Sequence, residues 1–278
     1  MKIVVFTTPD YTKPVLDALI NAGHQIVSII RKSESLDTLP DCDLCIVAAY
    51  GKIIPKRYLD LPKFGFLNIH PSLLPKYRGP SPIKSAILNG DTETGVTIMK
   101  VDEEMDHGPI VASSKYQLLN SKSHLEIQKE MWDLGAKLLV DTLPEYVSGE
   151  IKPKAQDHSQ ATFTKKFTRE DGKINWSQTA EEIFNKIRAL GDEPGTWTMW
   201  NGKILNIKSA DILNLKPKEK VKTTAKINGH IAVATGKCYL ILKTIQLEGR
   251  KETDAKSFAN GHPNFISSKL EQIIDNEV

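Results

Sequence analysis

The sequence predicts an α/β fold, a doubly wound and mostly parallel sheet, followed by a small β-barrel. Three observations carry this. Short continuous apolar runs alternate with amphipathic helical stretches through the first half, the pattern of buried strands joined by crossover helices. After residue 173 the style changes to short strands closely spaced around glycine turns. Between them, from Lys152 to Lys173, lies a polar, lysine-rich stretch around Pro153 without periodicity. The expected division is therefore a domain over 1–151, a linker over 152–173 and a second domain over 174–278.

Element by element, Lys2–Phe6 is a short apolar strand. Thr12–Ala22 is amphipathic, with Val15, Leu16, Leu19 and Ile20 on one stripe, and Gly23 stands where a helix-ending glycine belongs. Strand character resumes at Gln25–Ile30, then at Leu44–Ala49 and Phe66–Ile69, each bounded by turn residues. Pro82–Leu88 reads as helix, and Gly95–Val101 alternates like a half-buried strand. Ser123 and Glu126 form a capping box ahead of a long helix ending near Gly149. Thr179 and Glu182 form another, opening a helix that carries Ile183, Ile187 and Leu190 and that Gly191 closes. Trp197–Trp200 and Ile204–Ile207 flank Asn201-Gly202, a strong hairpin signal. His230–Ala234 and Tyr239–Ile245, separated by Gly236, complete a small barrel of a kind often used to hold nucleic acid.

A length of 278 residues lets two domains bury their own cores without disulfides or a structural metal. With 40% hydrophobic and 26% charged residues the chain is not disordered. No run approaches the roughly 18 apolar residues of a membrane helix, and the chain opens directly into a strand rather than a signal peptide. Three cysteines, an odd number, fit a reducing compartment, so a cytoplasmic protein is expected. Charge is uneven: 16 basic against 19 acidic side chains in residues 1–150, and 21 against 15 in the remainder. The basic second half points to a polyanionic partner, or otherwise to a lysine-rich solubilising surface. The turn after the first strand, Thr7-Thr8-Pro9-Asp10, is no glycine-rich dinucleotide loop, and a P-loop is missing. Cys42 and Cys45 make one C-x-x-C without a second ligand pair, and with Cys45 opening an apolar strand they read as packing.

The informative stretch is Phe66-Leu67-Asn68-Ile69-His70-Pro71-Ser72-Leu73-Leu74-Pro75. Asn68 and His70, two apart on a strand, project from one face at its carboxyl end, where open α/β sheets place ligands. An amide and an imidazole converging beside stiffening prolines point to catalysis, against the alternative of a structural histidine. A second segment, Val101 to Ile110, follows a strand and carries Asp102, Glu103, Glu104 and Asp106. By itself it reads equally well as a solvated acidic turn.

Together these segments resemble the folate-dependent formyltransferases. The match consists of Asn68-x-His70, the Ser72-Leu73-Leu74-Pro75 loop and Asp106 in its turn, with Ala49-Tyr50-Gly51 and Ile54-Pro55 ahead of them. Arg78-Gly79-Pro80-Ser81-Pro82-Ile83, Gly90-Asp91 and Glu93 to Met99 are similar to the branch that acts on tRNA. So are Ile174-Asn175-Trp176-Ser177, Ile187-Arg188-Ala189, Pro194-Gly195-Thr196-Trp197 and Leu247 to Lys251 in the second half. The resemblance implies a Rossmann-like catalytic domain and an OB-like C-terminal barrel. It also implies transfer of a formyl group from 10-formyltetrahydrofolate to the free amino group of methionyl initiator tRNA, as translation initiation requires, by a monomer that needs neither metal nor membrane.

Under that resemblance Asn68 donates to the developing oxyanion. His70 donates to the same oxygen or moves a proton, and Asp106 holds the imidazole and receives the proton of the amine. Ser72, Leu73, Leu74, Pro75, Tyr50 and Gly51 line the folate site. Arg31, Lys32, Arg78, Lys216, Lys218, Lys220, Lys222, Lys226, Arg250 and Lys251 are the expected tRNA contacts. Two departures stand out. Thr7-Thr8 replaces the family's usual Gly-Thr, and only Arg31 to Asp41 fill an interval that in related enzymes holds a long basic insertion. The alternatives are a formyltransferase acting on an amino sugar or glycinamide ribonucleotide, a formyltetrahydrofolate hydrolase, and a non-enzymatic RNA-binding module.

Overall fold

The structure is a computed structural model describing residues 1–271. It contains two compact units, one of Met1–Ala86 with Asp91–Lys166, the other of Ile87–Gly90 with the chain from Phe167 on. In chain order the first half forms β1 (Lys2–Thr7), α1 (Lys13–Asn21), β2 (Gln25–Ile30), β3 (Leu44–Ala48), α2 (Lys56–Leu59), β4 (Phe66–His70), α3 (Pro82–Leu88), β5 (Glu93–Lys100), β6 (Ile110–Gln117) and α4 (His124–Ser148). The sheet order is β2-β1-β3-β4-β5-β6. The first four strands are parallel, and β5 and β6 extend the sheet antiparallel. The doubly wound sheet is thus mixed, with its parallel part holding the strand ends expected to matter.

Burial follows strand position. β1 lies between two parallel neighbours and buries five of its six residues, whereas β2 at the edge alternates. Val4, Phe6, Cys45 and Phe66 pack on one face with Tyr50, Ile54 and Tyr58. The opposite face receives α4 through Gly135, where a Cβ would stand 2.8 Å from Ile69 Cγ2 and 3.2 Å from Val96 Cγ1. α1 ends in a Schellman motif: Gly23 at φ +80° donates to Ile20 O, and His24 donates to Leu19 O. α4 opens with the reciprocal Ser123–Glu126 capping box and stops at Gly149, φ +81°. Residues 152–166, expected as linker, belong to the first unit. Lys154 bridges to Ile110 and Phe163 to Arg78, and Gln156 is buried.

The second unit holds α5 (Ala180–Leu190), β7 (Trp197–Trp200), β8 (Lys203–Leu213), β9 (Thr224–Ile227), β10 (His230–Ala234), β11 (Tyr239–Leu247), β12 (Thr253–Asp254) and α6 (Ala255–Gly261). Its antiparallel sheet runs β7-β8-β11-β10-β9, with β12 on β11. The segment 267–271 joins the two ends. Ser267 and Leu270 donate to Thr224 O and Lys222 O beside β9, while Glu271 and Met199 of β7 exchange hydrogen bonds. Among the described residues this segment thus bridges both edges, and the antiparallel sheet curls into a barrel. Trp176 ahead of α5, Ile183 and Ile187 of α5, and Phe258 of α6 complete its core. Asn201-Gly202 turns at φ +49° and +71°, and Asn228-Gly229 repeats the device between β9 and β10 at +49° and +77°. Gly191 ends α5 differently. Its φ of −58° is right-handed, and its missing Cβ would collide with Ile187 O at 2.5 Å, so glycine there permits close approach rather than a left-handed turn.

Candidate active site

In a parallel sheet of order 2-1-3-4 the carboxyl ends of the strands open on one side, and chain direction diverges between β1 and its two neighbours. The groups at this end are joined by hydrogen bonds. Arg31 Nη1 donates to Thr8 O at 3.0 Å, Lys32 N to Thr8 Oγ1 at 3.1 Å, and Thr8 Oγ1 to Tyr50 O at 3.3 Å. Gly51, at φ +72°, is exposed and lies beside the Lys32 ammonium: a Cβ there would be in ordinary contact with Nζ, at 3.5 Å. Tyr50 is buried with its ring edge-on to Phe6, 5.2 Å between centroids. Its phenol is held above the usual range by burial and by the charge of Glu34. Arg31, Lys32, Tyr50 and Gly51 therefore share the end of the sheet where β4 finishes.

β4 delivers the two side chains expected to react, Asn68 and His70. Asn68 Nδ2 donates to Asp106 Oδ1 at 3.2 Å, and His70 Nδ1 stands 3.5 Å from the same oxygen. Asp106 Oδ2 accepts from the backbone N–H of Gly79 at 2.7 Å. His70 Nε2 lies 2.9 Å from Tyr77 O. A carbonyl only accepts, so Nε2 carries the hydrogen, and Nδ1 is the nitrogen turned to the carboxylate. The side chains of His70 and Asp106 are 5% and 13% exposed, a setting in which such contacts are little screened by water. Asp106 sits at φ +52°, a left-handed backbone that Asp adopts more readily than most residues. The other acidic groups of its turn point elsewhere: Asp102 pairs with His107 at 2.7 Å, and Glu103 with Lys56.

The Ser72–Pro75 loop is anchored to β5. Ser72 is fully buried, its hydroxyl donates to Lys76 O, and Thr97 Oγ1 accepts from Leu74 N while donating to Ser72 O. Leu73 leans on Gly95, where a Cβ would fall 2.5 Å from Leu73 Cδ2. The loop thus presents backbone and apolar surface, because its hydroxyl is already engaged. Arg78, expected to admit the acceptor end, is 4% exposed. Its Nε and Nη2 reach Gln156 Oε1 at 3.2 and 2.7 Å, and Nη2 also meets His158 Nδ1 at 2.8 Å. Gln156 in turn donates to Asp106 O and Gly108 O. Sequence reasoning missed Tyr77, Gly79 and Gln156. Two act through backbone atoms, and Gln156 stands in a polar stretch without periodicity.

The basic residues of the second unit do not form one patch. Lys216, Lys218 and Lys220 are exposed in the loop after β8, and Lys226 is exposed on β9. Lys222, half-buried at φ +65°, donates its N–H to Ala234 O. Arg250 and Lys251 follow the far end of β11. Leu213 pairs with Tyr239 and Leu205 with Leu247, so the two groups stand at opposite ends of the β8–β11 ladder, roughly 25 Å apart along the strands.

Cys45 is wholly buried, its Sγ lies 3.6 Å from that of Cys42, and burial pushes its thiol well above the usual range, as expected of packing cysteines. Among the described residues no group of three or more His, Cys, Asp or Glu could hold a metal, and no helix is long and apolar enough to cross a membrane.

A mixed sheet followed by an antiparallel barrel is the two-part construction that comparison with known families identifies as that of a formyl transferase. The family model "Formyl transferase" matches residues 31–143 and "Formyl transferase, C-terminal domain" residues 166–263. The chain belongs to the methionyl-tRNA formyltransferase family: it is 36% identical to the methionyl-tRNA formyltransferase of Chloroflexus aggregans, over 94% of this chain and 97% of that one. The corresponding protein of Roseiflexus castenholzii is 40% identical over 89% of this chain and 81% of the relative. The first alignment runs over 303 positions, more than the 278 residues here, so that relative holds residues this chain lacks. Among solved structures, HypX from Aquifex aeolicus in complex with tetrahydrofolic acid shares the fold. Its TM-score is 0.68 at 18% identity, over 93% of this chain and 46% of that one.

Proposed function

We propose that the protein moves the formyl group of 10-formyltetrahydrofolate onto the amino group of methionyl initiator tRNA, and that Asn68, His70 and Asp106 carry the reaction. The observation that supports it most is the single oxygen, Asp106 Oδ1, shared by Asn68 and His70. Asn68 Nδ2 has two hydrogens. One is aimed at Asp106, which fixes the amide plane, and the other is offered to the formyl oxygen as charge develops there. One such donor is worth roughly 3–4 kcal/mol in the transition state.

In the transfer a C–N bond forms from the methionyl amine to the formyl carbon, the bond from that carbon to folate N10 breaks, and the proton leaving the amine ends on N10. The His70–Asp106 pair holds that proton in passage. The Tyr77 carbonyl occupies Nε2, so His70 works through Nδ1 beside the carboxylate rather than by offering Nε2 to the substrate oxygen. Proton transfer of this kind contributes about 10²–10⁴-fold.

The donor suits the residues present. Exposed Gly51 and the apolar Ser72–Pro75 loop give a flat ring system backbone and apolar surface, and Arg31 and Lys32 bring positive charge for a carboxylate tail or a tRNA phosphate. The acceptor is tested by incubating the protein and 10-formyltetrahydrofolate with methionyl initiator tRNA, an amino-sugar nucleotide or glycinamide ribonucleotide. Formylation of the tRNA alone is expected. Preference for a small amine, or hydrolysis of the donor without acceptor, would replace this reading.

A further inference from the structure

We propose that Gln156 is a positioning residue of the reaction. It clamps the turn that carries Asp106, and the buried guanidinium of Arg78 clamps Gln156. The proposal rests on the reading of Asp106 as a reacting group.

Gln156 is 5% exposed, and its amide orientation is dictated by its neighbours. Arg78 can only donate, so Oε1 must face Nε and Nη2, and Nε2 must face the turn. There its two hydrogens meet two carbonyls, Asp106 O at 2.9 Å and Gly108 O at 2.8 Å. One of these carbonyls belongs to Asp106 itself, the residue of the turn with a left-handed backbone at φ +52°, and the other lies two residues on. Gly79, next to Arg78 in the chain, donates to Asp106 Oδ2. Arg78 thus acts on Asp106 from two sides, through its side chain by way of Gln156 and through its neighbour's N–H. Arg78 directs its guanidinium at Gln156 and His158, so this buried charge serves to orient an amide.

The consequence is a separation of shape from grip. Gln156→Glu keeps the size of the side chain and strengthens its attraction to Arg78, yet a carboxylate has no hydrogen for Asp106 O or Gly108 O. The stronger pairing with Arg78 opposes the loss of these two hydrogen bonds, so the fold should persist while Asp106 loses its restraint, and displacements on the scale of 1 Å at reacting groups cost up to about 10²-fold.

The test measures kcat and both KM values for Gln156→Glu, for Asp106→Asn and for the double variant, with thermal unfolding of each. Expected are a 10–100-fold fall in kcat for Gln156→Glu, KM values within about threefold of the parent, and no further loss when Gln156→Glu is added to Asp106→Asn. Arg78→Lys, which keeps the charge and removes the fork, should fall in the same direction and be equally silent in the Asp106→Asn background. If kcat of Gln156→Glu stays within twofold of the parent while Asp106→Asn is impaired, the positioning role is wrong. Multiplied losses in the double variant would also overturn it, since Gln156 would then act independently. An unimpaired Asp106→Asn would instead overturn the reading of Asp106 beneath it.

Discussion

Gly108→Ala probes how firmly the turn that carries Asp106 is pinned, with none of the proposed reacting atoms altered. A Cβ at this position would stand 2.0 Å from the carbonyl oxygen of Lys100. An ordinary carbon–oxygen contact needs roughly 3.3 Å, so one side must yield by more than about 1 Å. Lys100 cannot do so easily: it pairs with Leu67 of β4, and its N–H donates to Pro109 O at 2.9 Å. The displacement falls on the turn two residues from Asp106. Overpacking of this kind costs about 3 kcal/mol, and misplacing a reacting group by about 1 Å costs about 10²-fold in rate. The assay is kcat at saturating substrates together with the urea unfolding midpoint. Gly261→Ala, where a Cβ meets nothing within 4 Å, serves as the control and should leave both unchanged. A Gly108→Ala enzyme with parental kcat and midpoint would refute the claim that β5 fixes the turn.

Two further outcomes are expected. His124, buried at the start of α4 near Lys84, has its imidazole pulled down to about 4 by burial first and by that charge second. The unfolded chain therefore binds the extra proton between about pH 6.5 and 4, so stability tied to the neutral ring is intact above pH 6.5 and lost as pH falls through that window. His124→Gln should remove about 3 kcal/mol of this acid loss, read as a flatter unfolding midpoint between those pH values. Neutralising Lys216, Lys218 and Lys220 should lower the slope of log K for tRNA against log salt by roughly 0.7–0.9 per lost phosphate contact. Neutralising Arg250 and Lys251, at the other end of the β8–β11 ladder, should then add to that change rather than duplicate it. An unchanged slope in both variants would place the tRNA elsewhere.

How much was legible depended on whether the signal was local. The central strands announce themselves because burial on both faces demands unbroken apolar runs such as Lys2–Phe6, and capping boxes and Asn201-Gly202 are encoded within four residues. β6 was not, because Ile110–Gln117 faces partial exposure with small and polar residues that alternate weakly. Asn228-Gly229 carried the same hairpin signal as Asn201-Gly202, but the strands it joins are only four and five residues long. Segment 267–271 closes the barrel through isolated bridges, which leave no periodic trace. At the site, Asn68 and His70 follow from strand alternation. The contribution of Gln156 depends on Arg78, 78 positions earlier, and could not be read from its own neighbourhood. Arg78 shows the opposite limit, since a motif reveals that an arginine is there but not that its guanidinium turns inward.

The most direct test of the account is the single-turnover rate of formyl transfer to methionyl initiator tRNA by Asn68→Ala beside the parent enzyme, with both substrates saturating. Losing the amide that Asp106 orients should slow transfer about 10²–10³-fold while tRNA binding and the unfolding midpoint stay at parental values. Transfer within a few-fold of the parent, in a variant that folds and binds tRNA normally, would contradict the assignment of the cluster at the end of β4.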